Sequence, residues 1–345
     1  MGQIVSSHIV YALGFSYWKH RPLRVCLPER SLRFVSSFDQ VPDGATLAVW
    51  GMRAVPKAFE RGIQVLRVED GFLRSVGLGA DLIRPLSWVV DRRGMYFDAT
   101  QPSDLEVLLL ESVFSAEMLQ RAAALRERIV ATGLTKYNVG TSAWRRPAQA
   151  SQVILVPGQV ESDASIACGA KGIKTNLGLL QAVRAAHPNA YVLYKPHPDV
   201  VAGLRAQGNG EDAAAHCCDE IIVDAPMGDL LREVDAVHCL TSLAGFEALL
   251  RGKKVACYGQ PFYAGWGLTM DILPVSRRTR RLSLDELVAG ALILYPRYMS
   301  RKRDALISPE DALDELVDWQ ARSGEGTAWW RKAFRVVLRR VIGVR

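Results

Sequence analysis

The stretch QVILVPGQVESDAS, residues 152–165, decides the fold, because it joins an uninterrupted apolar run to a loop of polar side chains. Continuous apolar runs are typical of parallel strands that are buried on both faces. The same arrangement recurs in AYVLYKPHP (190–198) and in AVHCLTS (236–242), with helical patterns between the runs. This alternation predicts a parallel sheet covered by helices, with ligands bound where the carboxyl ends of the strands meet.

The first half of the chain repeats the alternation less regularly. We predict strands at 25–28, 45–51, 63–70 and 87–91, and a helix over 55–62. From Ser103, which is well placed to cap a helix, the pattern becomes helical. The prediction is an α/β, GT-B-like fold in which two Rossmann-like domains face each other across a cleft, followed by C-terminal helices.

Domain boundaries follow from the polar, punctuated segment that ends near residue 148. We therefore divide the chain into an N-terminal domain (1–148), a second domain (149–300) and C-terminal helices (301–345). The last segment ends in TAWWRKAFRVVLRRVIGVR (327–345), which carries six positive residues and no acid. Its apolar side chains fall on one helical face, a pattern that favours contact with an anionic membrane surface, although a helix packed on the protein has the same pattern.

Composition limits the classes of function. The 345 residues are 49% hydrophobic with a net charge of +7, which suits two globular domains that meet anionic ligands. No run of about 18 uncharged apolar residues occurs, so we predict no membrane span. Six scattered cysteines without a C-x-x-C pair favour buried thiols in a reducing cytosol over a zinc site. Because the positive charge concentrates in the tail, the sequence does not favour nucleic-acid binding.

Carboxylates follow two of the predicted strands. Glu69 and Asp70 end the strand at 63–70, with Arg74 close behind, and Asp163 follows Gln159 after the strand of the second half. A carboxylate at such a place can act as a general base or as a nucleophile. Turns and helix caps use the same residue types more often, so neither segment identifies a catalytic site by itself.

Phosphate-binding groups follow two other strands. Lys195 and His197 end a strand at a turn that Pro196 and Pro198 stiffen, and they suit a phosphate oxygen as charge partners or hydrogen-bond donors. Thr241 and Ser242 precede a helix, whose N-terminal amides bind anions well. An N-cap that serves only its own helix explains the second pair equally well.

The segment GQPFYAGWGLT (259–269) predicts an aromatic loop over a planar or sugar ligand, with Tyr263 and Trp266 as contacts, or else a packed surface loop. No Asp-x-Asp occurs in the chain, so a metal clamp on a sugar diphosphate is not supported. A monophosphate leaving group needs less neutralising charge, and the side chains named above can supply it. We therefore predict neither a metal nor another cofactor.

Five motifs together resemble one family, the capsule polysaccharide β-Kdo transferases of the KpsC type. They are EDGFLRSVGLGADL (69–82), RPLSWVVDRRGMYFD (84–98), GQVESDASI (158–166), YKPHPDV (194–200) and GQPFYAGWGLT (259–269). The resemblance extends from about residue 45 to residue 300. The Glu-Asp-Gly, His-Pro and Ser/Thr elements are also similar to those of bacterial sialyltransferases.

The resemblance implies a metal-independent GT-B enzyme that transfers Kdo from CMP-Kdo with retention of configuration. The first domain would then lie on the acceptor side, and the second would bind the CMP-sugar. Asp163 corresponds to the catalytic carboxylate, with Glu69 and Asp70 opposite it. The donor-binding residues would be Lys195, His197, Thr241 and Ser242 at the phosphate, Gln159, Arg74 at the sugar carboxylate, and Tyr263 and Trp266 near the cytidine.

The same resemblance implies a lipid-linked glycan or glycolipid as acceptor, and a cytoplasmic enzyme held peripherally at the inner face of the bacterial inner membrane. Members of the family usually carry two such modules, whereas this sequence has one. Three alternatives stay open: an inverting transferase of the CMP-sialic-acid type, a transferase with a diphosphate donor, and a non-catalytic partner in polysaccharide assembly.

Overall fold

The computed structural model describes residues 9–75, 85–136, 140 and 142–323. The strands in these ranges are β1 (Ile9–Leu13), β2 (Ser31–Val35), β3 (Thr46–Trp50), β4 (Gln64–Asp70), β5 (Ser87–Asp91), β6 (Val153–Pro157), β7 (Tyr191–Lys195), β8 (Glu220–Ile221), β9 (Ala236–Cys239), β10 (Lys254–Cys257), β11 (Met270–Asp271), β12 (Pro296–Met299) and β13 (Leu306–Ile307). They form two sheets, so the fold is mixed α/β, as the sequence predicts.

The α-helices in the same ranges surround the two sheets. They are α1 (Tyr17–Cys26), α2 (Asp104–Glu111), α3 (Ala116–Ala131), α4 (Ala164–Gly169), α5 (Asn176–Ala186), α6 (Pro198–Val201), α7 (Met227–Glu233), α8 (Leu243–Leu250), α9 (Leu284–Val288) and α10 (Pro309–Ser323). Helix α9 continues into a π-helical segment, Ala289–Leu294. None of the helices in the described ranges is long and apolar enough to cross a bilayer.

The second sheet has the order β11-β10-β9-β6-β7-β8, and all its neighbours are parallel. In chain order this is the doubly wound arrangement 3-2-1-4-5-6 of a Rossmann fold. The strand order reverses between β6 and β9, so a crevice opens beyond the carboxyl ends of these two strands. The prediction of a parallel, helix-covered sheet is confirmed for this half of the molecule.

The first sheet has the order β13-β12-β5-β4-β3-β1-β2 and is mixed. Strands β1 to β4 are parallel neighbours, whereas β5, β12 and β13 pair antiparallel. The prediction of a Rossmann-like first domain therefore holds for the parallel strands β1 to β4 and not for the other three strands of this sheet. Strand β5 reverses because the chain re-enters the sheet at the edge where β4 ends, with Asp70 opposite Trp88.

Two local predictions in the first half are wrong. The predicted strand at 25–28 lies instead at the end of α1, where Val25 and Cys26 face the core below the first sheet. The predicted helix at 55–62 forms hydrogen-bonded turns instead, because Lys57 adopts a φ of 63°, which interrupts helical geometry.

The chain returns to the first sheet before the predicted boundary at residue 300, since β12 begins at Pro296 and pairs with β5. The main hydrophobic core contains residues that flank both sheets, including Val89, Leu155, Trp266 and Leu313. Helix α10 confirms a helix in the segment 301–345, where C-terminal helices are predicted. The basic tail from residue 327 lies outside the described residues, so the predicted amphipathic helix stays a prediction.

Candidate active site

A cavity of about 470 Å³ lies between the carboxyl-terminal edges of the two sheets. The first sheet contributes Glu69, Asp70 and Arg74 to its lining, and the second contributes Asp163 and Thr241. Five of the predicted site residues therefore meet at one cavity, although they come from distant parts of the chain. Their convergence follows from topology, because strand ends of facing α/β sheets open on the same crevice.

Glu69 and Asp70 are the last residues of β4 and form the acidic wall of the cavity. The Glu69 carboxylate accepts a hydrogen bond from the Asp70 amide at 2.9 Å. Burial, reinforced by repulsion from Asp70, raises the pKa of Glu69 to about 7. A carboxyl group with such a pKa exchanges protons near neutral pH, as a general base must.

Arg74 is buried, with 5% of its surface exposed, and its Nε donates to Asp70 Oδ2 at 2.6 Å. One of its terminal nitrogens also donates to Ser75 Oγ at 3.0 Å. The guanidinium group thus holds Asp70 in place. This pairing does not favour the predicted role of Arg74 as the partner of a sugar carboxylate.

Asp163 occupies the N-cap position of α4 on the opposite wall without a side-chain cap bond, and its Oδ1 accepts a hydrogen bond of 2.5 Å from Arg205 Nη2. Both side chains are about two-fifths exposed, at 43% and 41%, and both line the cavity. Sequence reasoning missed Arg205, because it lies in a loop with no motif and reaches Asp163 only through the tertiary fold.

Gln159 bridges the two strand ends at the point where the strand order reverses. Its Nε2 donates to Thr241 Oγ1 at 3.0 Å, and its Oε1 accepts from the Thr241 amide at 2.9 Å. The backbone of Gln159 is fixed by two further hydrogen bonds of 2.9 Å with the Asn176 side chain. Gln159 therefore positions the loops that follow β6 and β9, and the Thr241 hydroxyl keeps its hydrogen for another acceptor.

Lys195, His197 and Ser242 do not line the large cavity. They line a neighbouring cavity of about 80 Å³, and Leu243 belongs to both linings. Lys195 is buried, its ammonium donates to the Val223 carbonyl at 3.0 Å, and burial lowers its pKa to about 8. The predicted phosphate-binding set is thus divided between two adjoining cavities.

His197 caps the short helix α6, where its Nδ1 accepts a hydrogen bond of 3.2 Å from the Asp199 amide. Burial and two nearby cations, Lys136 and Arg205, lower the pKa of His197 to about 4. The ring is therefore neutral near pH 7. Because Nδ1 accepts, the proton sits on Nε2, which makes this nitrogen the donor of the ring.

Tyr263 and Trp266 are fully buried and line neither cavity. The Tyr263 hydroxyl donates to the Ser242 carbonyl at 2.5 Å, and Trp266 Nε1 donates to the Phe262 carbonyl at 2.8 Å. The expectation that these two rings contact the ligand is not met in this conformation, because a loop rich in aromatic residues packs into the core. The same loop contributes Phe262 to the large cavity instead.

Helix α1 contributes residues that the sequence did not reveal. Trp18 and Lys19 line the large cavity together with Trp50 at the end of β3. The Lys19 ammonium lies 3.0 Å from the centroid of the Trp50 ring and 5.2 Å from that of Trp18. No sequence signal distinguishes these residues from a surface helix, because only the sheet topology brings α1 to the edge where Glu69 lies.

No group of three or more His, Cys, Asp or Glu side chains in the described ranges is arranged to hold a metal ion. The prediction that the reaction needs no metal stays a prediction.

Residues 48–298 match the family described as "Capsule polysaccharide biosynthesis protein". Among curated relatives, the capsule polysaccharide modification protein LipA of Neisseria meningitidis serogroup A is 46% identical over 318 residues, which cover 89% of this chain and 45% of LipA. The lipopolysaccharide-processing protein LpsZ of Rhizobium meliloti is 47% identical over 257 residues, or 72% of this chain and 58% of LpsZ. The chain thus spans about half the length of these relatives.

Two solved structures are similar over most of the fold, and both come from Thermosulfurimonas dismutans KpsC. Its beta Kdo 2,7 transferase is 44% identical with a TM-score of 0.75, and its beta Kdo 2,4 transferase is 33% identical with a TM-score of 0.80. Each comparison covers 90% of this chain and 98% of the solved one.

Proposed function

The chain belongs to the capsule polysaccharide biosynthesis family, and on that premise we propose that it is a glycosyltransferase that moves Kdo from CMP-Kdo to a lipid-linked or other glycan acceptor. One observation carries the proposal: Glu69 and Asp70 from one sheet face the same cavity as Asp163 from the other. Opposed carboxylates on two domains suit a reaction in which donor and acceptor enter from different sides.

The second sheet has the features that a nucleotide-sugar needs, which supports a GT-B architecture with the donor on this side. Its crevice lies at the reversal of strand order between β6 and β9. Thr241 offers a hydroxyl at one cavity, and His197 offers a neutral N–H donor near Lys195 at the adjoining one. Such donors stabilise the negative charge that develops on a departing phosphate.

The proposed mechanism is a double displacement. A carboxylate oxygen of Asp163 attacks the anomeric carbon of Kdo, and the bond to the CMP phosphate breaks with its electron pair on the phosphate oxygen. The acceptor hydroxyl then attacks the same carbon, Asp163 leaves, and the hydroxyl proton moves to Glu69. Two inversions retain the configuration, as in retaining glycosidases.

Arg205 is the better candidate for the sugar carboxylate. Arg74 is buried against Asp70, whereas the Arg205 guanidinium is 41% exposed in the cavity beside Asp163. A planar guanidinium binds a carboxylate through two parallel hydrogen bonds. We assign to Arg205 the recognition of the acidic donor, and to Arg74 the positioning of Asp70.

The acceptor and the cellular location extend the same proposal. A glycolipid acceptor fits a family concerned with capsule polysaccharide, and the basic segment 327–345 suits the anionic inner face of the inner membrane. For the linkage, identity to the 2,7 transferase is higher while the TM-score favours the 2,4 transferase. Side chains rather than the backbone path select an acceptor hydroxyl, so we propose a 2,7-type linkage.

The first test is thermal unfolding with CMP, CDP, UMP, UDP and GDP, without added metal. A ligand that binds only the folded state stabilises it by about 2.7 kcal/mol at 100 times its Kd. A shift specific to CMP, reduced in His197→Ala, supports a CMP-sugar donor. A shift with UDP or GDP instead contradicts it.

Turnover with CMP-Kdo then tests the chemistry. We expect Asp163→Asn to abolish transfer while CMP still binds, and NMR of the product to show a retained β-anomer. Normal turnover by Asp163→Asn excludes the nucleophile, and an inverted product excludes the double displacement.

A further inference from the structure

The loop of residues 202–210 carries Arg205 to the large cavity but has no apolar anchor of its own. Every residue from 202 to 210 is at least partly exposed. The loop begins at the Asp199 carbonyl, which accepts hydrogen bonds from the amides of Leu204 and Arg205 at 2.8 and 3.2 Å. Because no buried side chain fixes the rest of the loop, its position depends on polar contacts.

Two carboxylates supply these contacts. Glu161 Oε2 accepts a hydrogen bond from the Asn209 amide at 2.8 Å, and Glu211 Oε2 accepts one from the Gly208 amide at 2.7 Å. A Cβ atom at Gly208 would lie 2.5 Å from Glu161 Oε1 and 2.8 Å from Glu211 Oε2. Glu211 also accepts a hydrogen bond from the hydroxyl of Tyr194 in β7. The loop therefore lies directly against both carboxylates.

Glu161 differs from Glu211 because it belongs to the loop that carries Asp163. Its Oε1 accepts a hydrogen bond of 2.7 Å from the amide of Asn176, the first residue of α5, so this helix holds the carboxylate in place. Two residues further along the chain, Asp163 accepts the hydrogen bond from Arg205. The Glu161 side chain thus links the loop of the proposed nucleophile to the loop of the cation that is proposed to bind the donor.

We infer that Glu161 is a positioning residue, which holds the Arg205 guanidinium where the carboxylate of the donor sugar reaches it. The inference rests on the proposed transferase function and deepens it. Glu161 does not line the large cavity, so it acts through the loop of residues 202–210 and not by contact with the donor. A glutamine has the same shape but one acceptor oxygen. In Glu161→Gln, one of the two backbone amides therefore faces an NH2 group instead of an acceptor.

Donor kinetics of the full chain test this role. We expect Glu161→Gln to raise the KM for CMP-Kdo about three- to tenfold, the effect of one lost hydrogen bond, and to leave kcat near wild type. In a protein that already carries Arg205→Gln, Glu161→Gln adds no further rise, because the loop no longer carries a cation. A carboxylate that only stabilises the fold gives additive effects. Additive effects, or an unchanged KM in Glu161→Gln, overturn the inference.

Glu220→Gln is the matched control. Glu220 is also half-buried and accepts two hydrogen bonds, from Trp144 Nε1 at 2.9 Å and from the Tyr191 hydroxyl at 2.8 Å. It lies on β8, at the outer edge of the second sheet. We expect this variant to keep the wild-type KM for CMP-Kdo. An equal rise in Glu220→Gln and Glu161→Gln contradicts a specific role for Glu161.

Gly208→Ala tests the same contact from the side of the loop. The added methyl group displaces either the loop or the carboxylates against which it lies, so we expect the KM for CMP-Kdo to rise as in Glu161→Gln. Gly172 is an exposed glycine with open space around its Cβ position, and Gly172→Ala keeps the wild-type KM. A Gly208→Ala protein with the wild-type KM counts against the inference.

Hydrogen–deuterium exchange without donor separates this positioning from the transferase function. We expect peptides within residues 202–210 to exchange about three- to tenfold faster in Glu161→Gln, and at the wild-type rate in Glu220→Gln. If the wild-type protein never consumes CMP-Kdo, the proposed function fails, and exchange still decides whether Glu161 holds the loop. Unchanged exchange in Glu161→Gln overturns the inference.

Discussion

At the scale of a single residue, two opposing effects set the pKa of Glu69. The Glu69 carboxyl group is buried at the end of β4 and lies beside Asp70, and both effects disfavour its charged form. The nearby Lys19 acts in the other direction. The outcome, a pKa raised to about 7, prepares the group to accept a proton from a hydroxyl near neutral pH.

The first prediction is a pH profile for transfer. A base acts in its ionised form, so kcat/KM rises with pH through about 7 and becomes level above it. Asp70→Asn removes the repelling charge and exposes Glu69 to Arg74, which lowers the pKa of Glu69 and moves the rise to lower pH. Initial rates from pH 5 to 9 measure this. An unshifted profile in Asp70→Asn contradicts the assignment of the rise to Glu69.

The second prediction concerns stability. The pKa of Glu69 rises from 4.5 to about 7 on folding, so the folded state binds a proton that the unfolded state has lost within this window. The free energy of unfolding therefore falls as pH rises from 4.5 to about 7, and the loss is complete above it. Glu69→Gln lacks this penalty. We expect its Tm to exceed that of wild type at pH 8 and to approach it at pH 5, while transfer is lost.

The third prediction separates two arginines. Arg205→Gln breaks a half-exposed pair, which is worth about 1 kcal/mol or less, so its Tm stays near wild type while the KM for CMP-Kdo rises. Arg74→Gln breaks a buried pair and lowers the Tm clearly. Calorimetry and donor kinetics on both variants measure the split. A donor KM that rises in Arg74→Gln but not in Arg205→Gln restores the sequence-based assignment to Arg74.

At the scale of elements, Glu106 of α2 ties the first half of the chain to the second. Its two carboxylate oxygens accept from Arg277 Nε at 2.8 Å and from Arg278 Nε at 2.9 Å. The Glu106 and Arg278 side chains are 4% and 2% exposed. We call the cluster of Glu106, Arg277 and Arg278 the clamp. Arg278 also donates to the carbonyls of Pro261 and Ala264, so the clamp fixes the loop that places Phe262 in the cavity lining.

The fourth prediction follows from this clamp. Glu106→Gln removes the negative charge and leaves two arginines without their counterion, so unfolding becomes easier by about 3–5 kcal/mol. Glu310→Gln is the control, since the Arg121 and Glu310 side chains are 42% and 28% exposed, and such a solvated pair contributes about 1 kcal/mol or less. Urea unfolding at pH 7.5 measures both. Equal effects of the two substitutions contradict a special role for the buried clamp.

The same scale shows which elements the sequence could predict. The caps of α2 and α5 were predictable, because Ser103 and Thr175 accept bonds from the amides of Glu106 and Gly178 as such signals require. The end of α1 was not, because its short apolar run has no period that distinguishes a strand from a helix. Strands of the second half were easier to predict because polar loops follow their apolar runs, as Gly158 to Ser165 follow β6.

For the whole molecule, topology decided which site residues were predictable. Residues directly after strands, such as Asp163 and Thr241, meet at the cavity because strand ends converge. Lys19 and Arg205 could not be predicted, because β1, the strand before Lys19, was not among the predicted strands and Arg205 lies in a loop beyond α6. Tyr263 also follows a strand, and for that reason the sequence placed it at the ligand. Its largely apolar ring is instead buried in the core.

The last prediction concerns how the two halves fold. Strand β12 covers the edge of β5, and the main core includes Val89 from the first half and Leu155 and Trp266 from the second. A fragment of residues 1–148 would lose this neighbour and expose an unpaired strand edge above an open core. We therefore expect the full chain to unfold in one calorimetric transition, and the fragment to show none.

Unfolding in the presence of a nucleotide tests the same cooperativity a second time. A ligand that binds the folded state stabilises every part of the protein that unfolds together with its site. If the molecule is one cooperative unit, CMP bound at the second sheet therefore raises the Tm of the whole chain. The fluorescence signal from Trp50 and Trp88 in the first sheet then shifts as well. The calorimetric and van't Hoff enthalpies then agree. A fragment 1–148 with its own cooperative transition, or a transition that splits as CMP is added, would mean that the two sheets unfold independently despite the shared core. In that case β12 would only cover the exposed edge of β5. It would not make the unfolding of the acceptor-side half depend on the donor-side half.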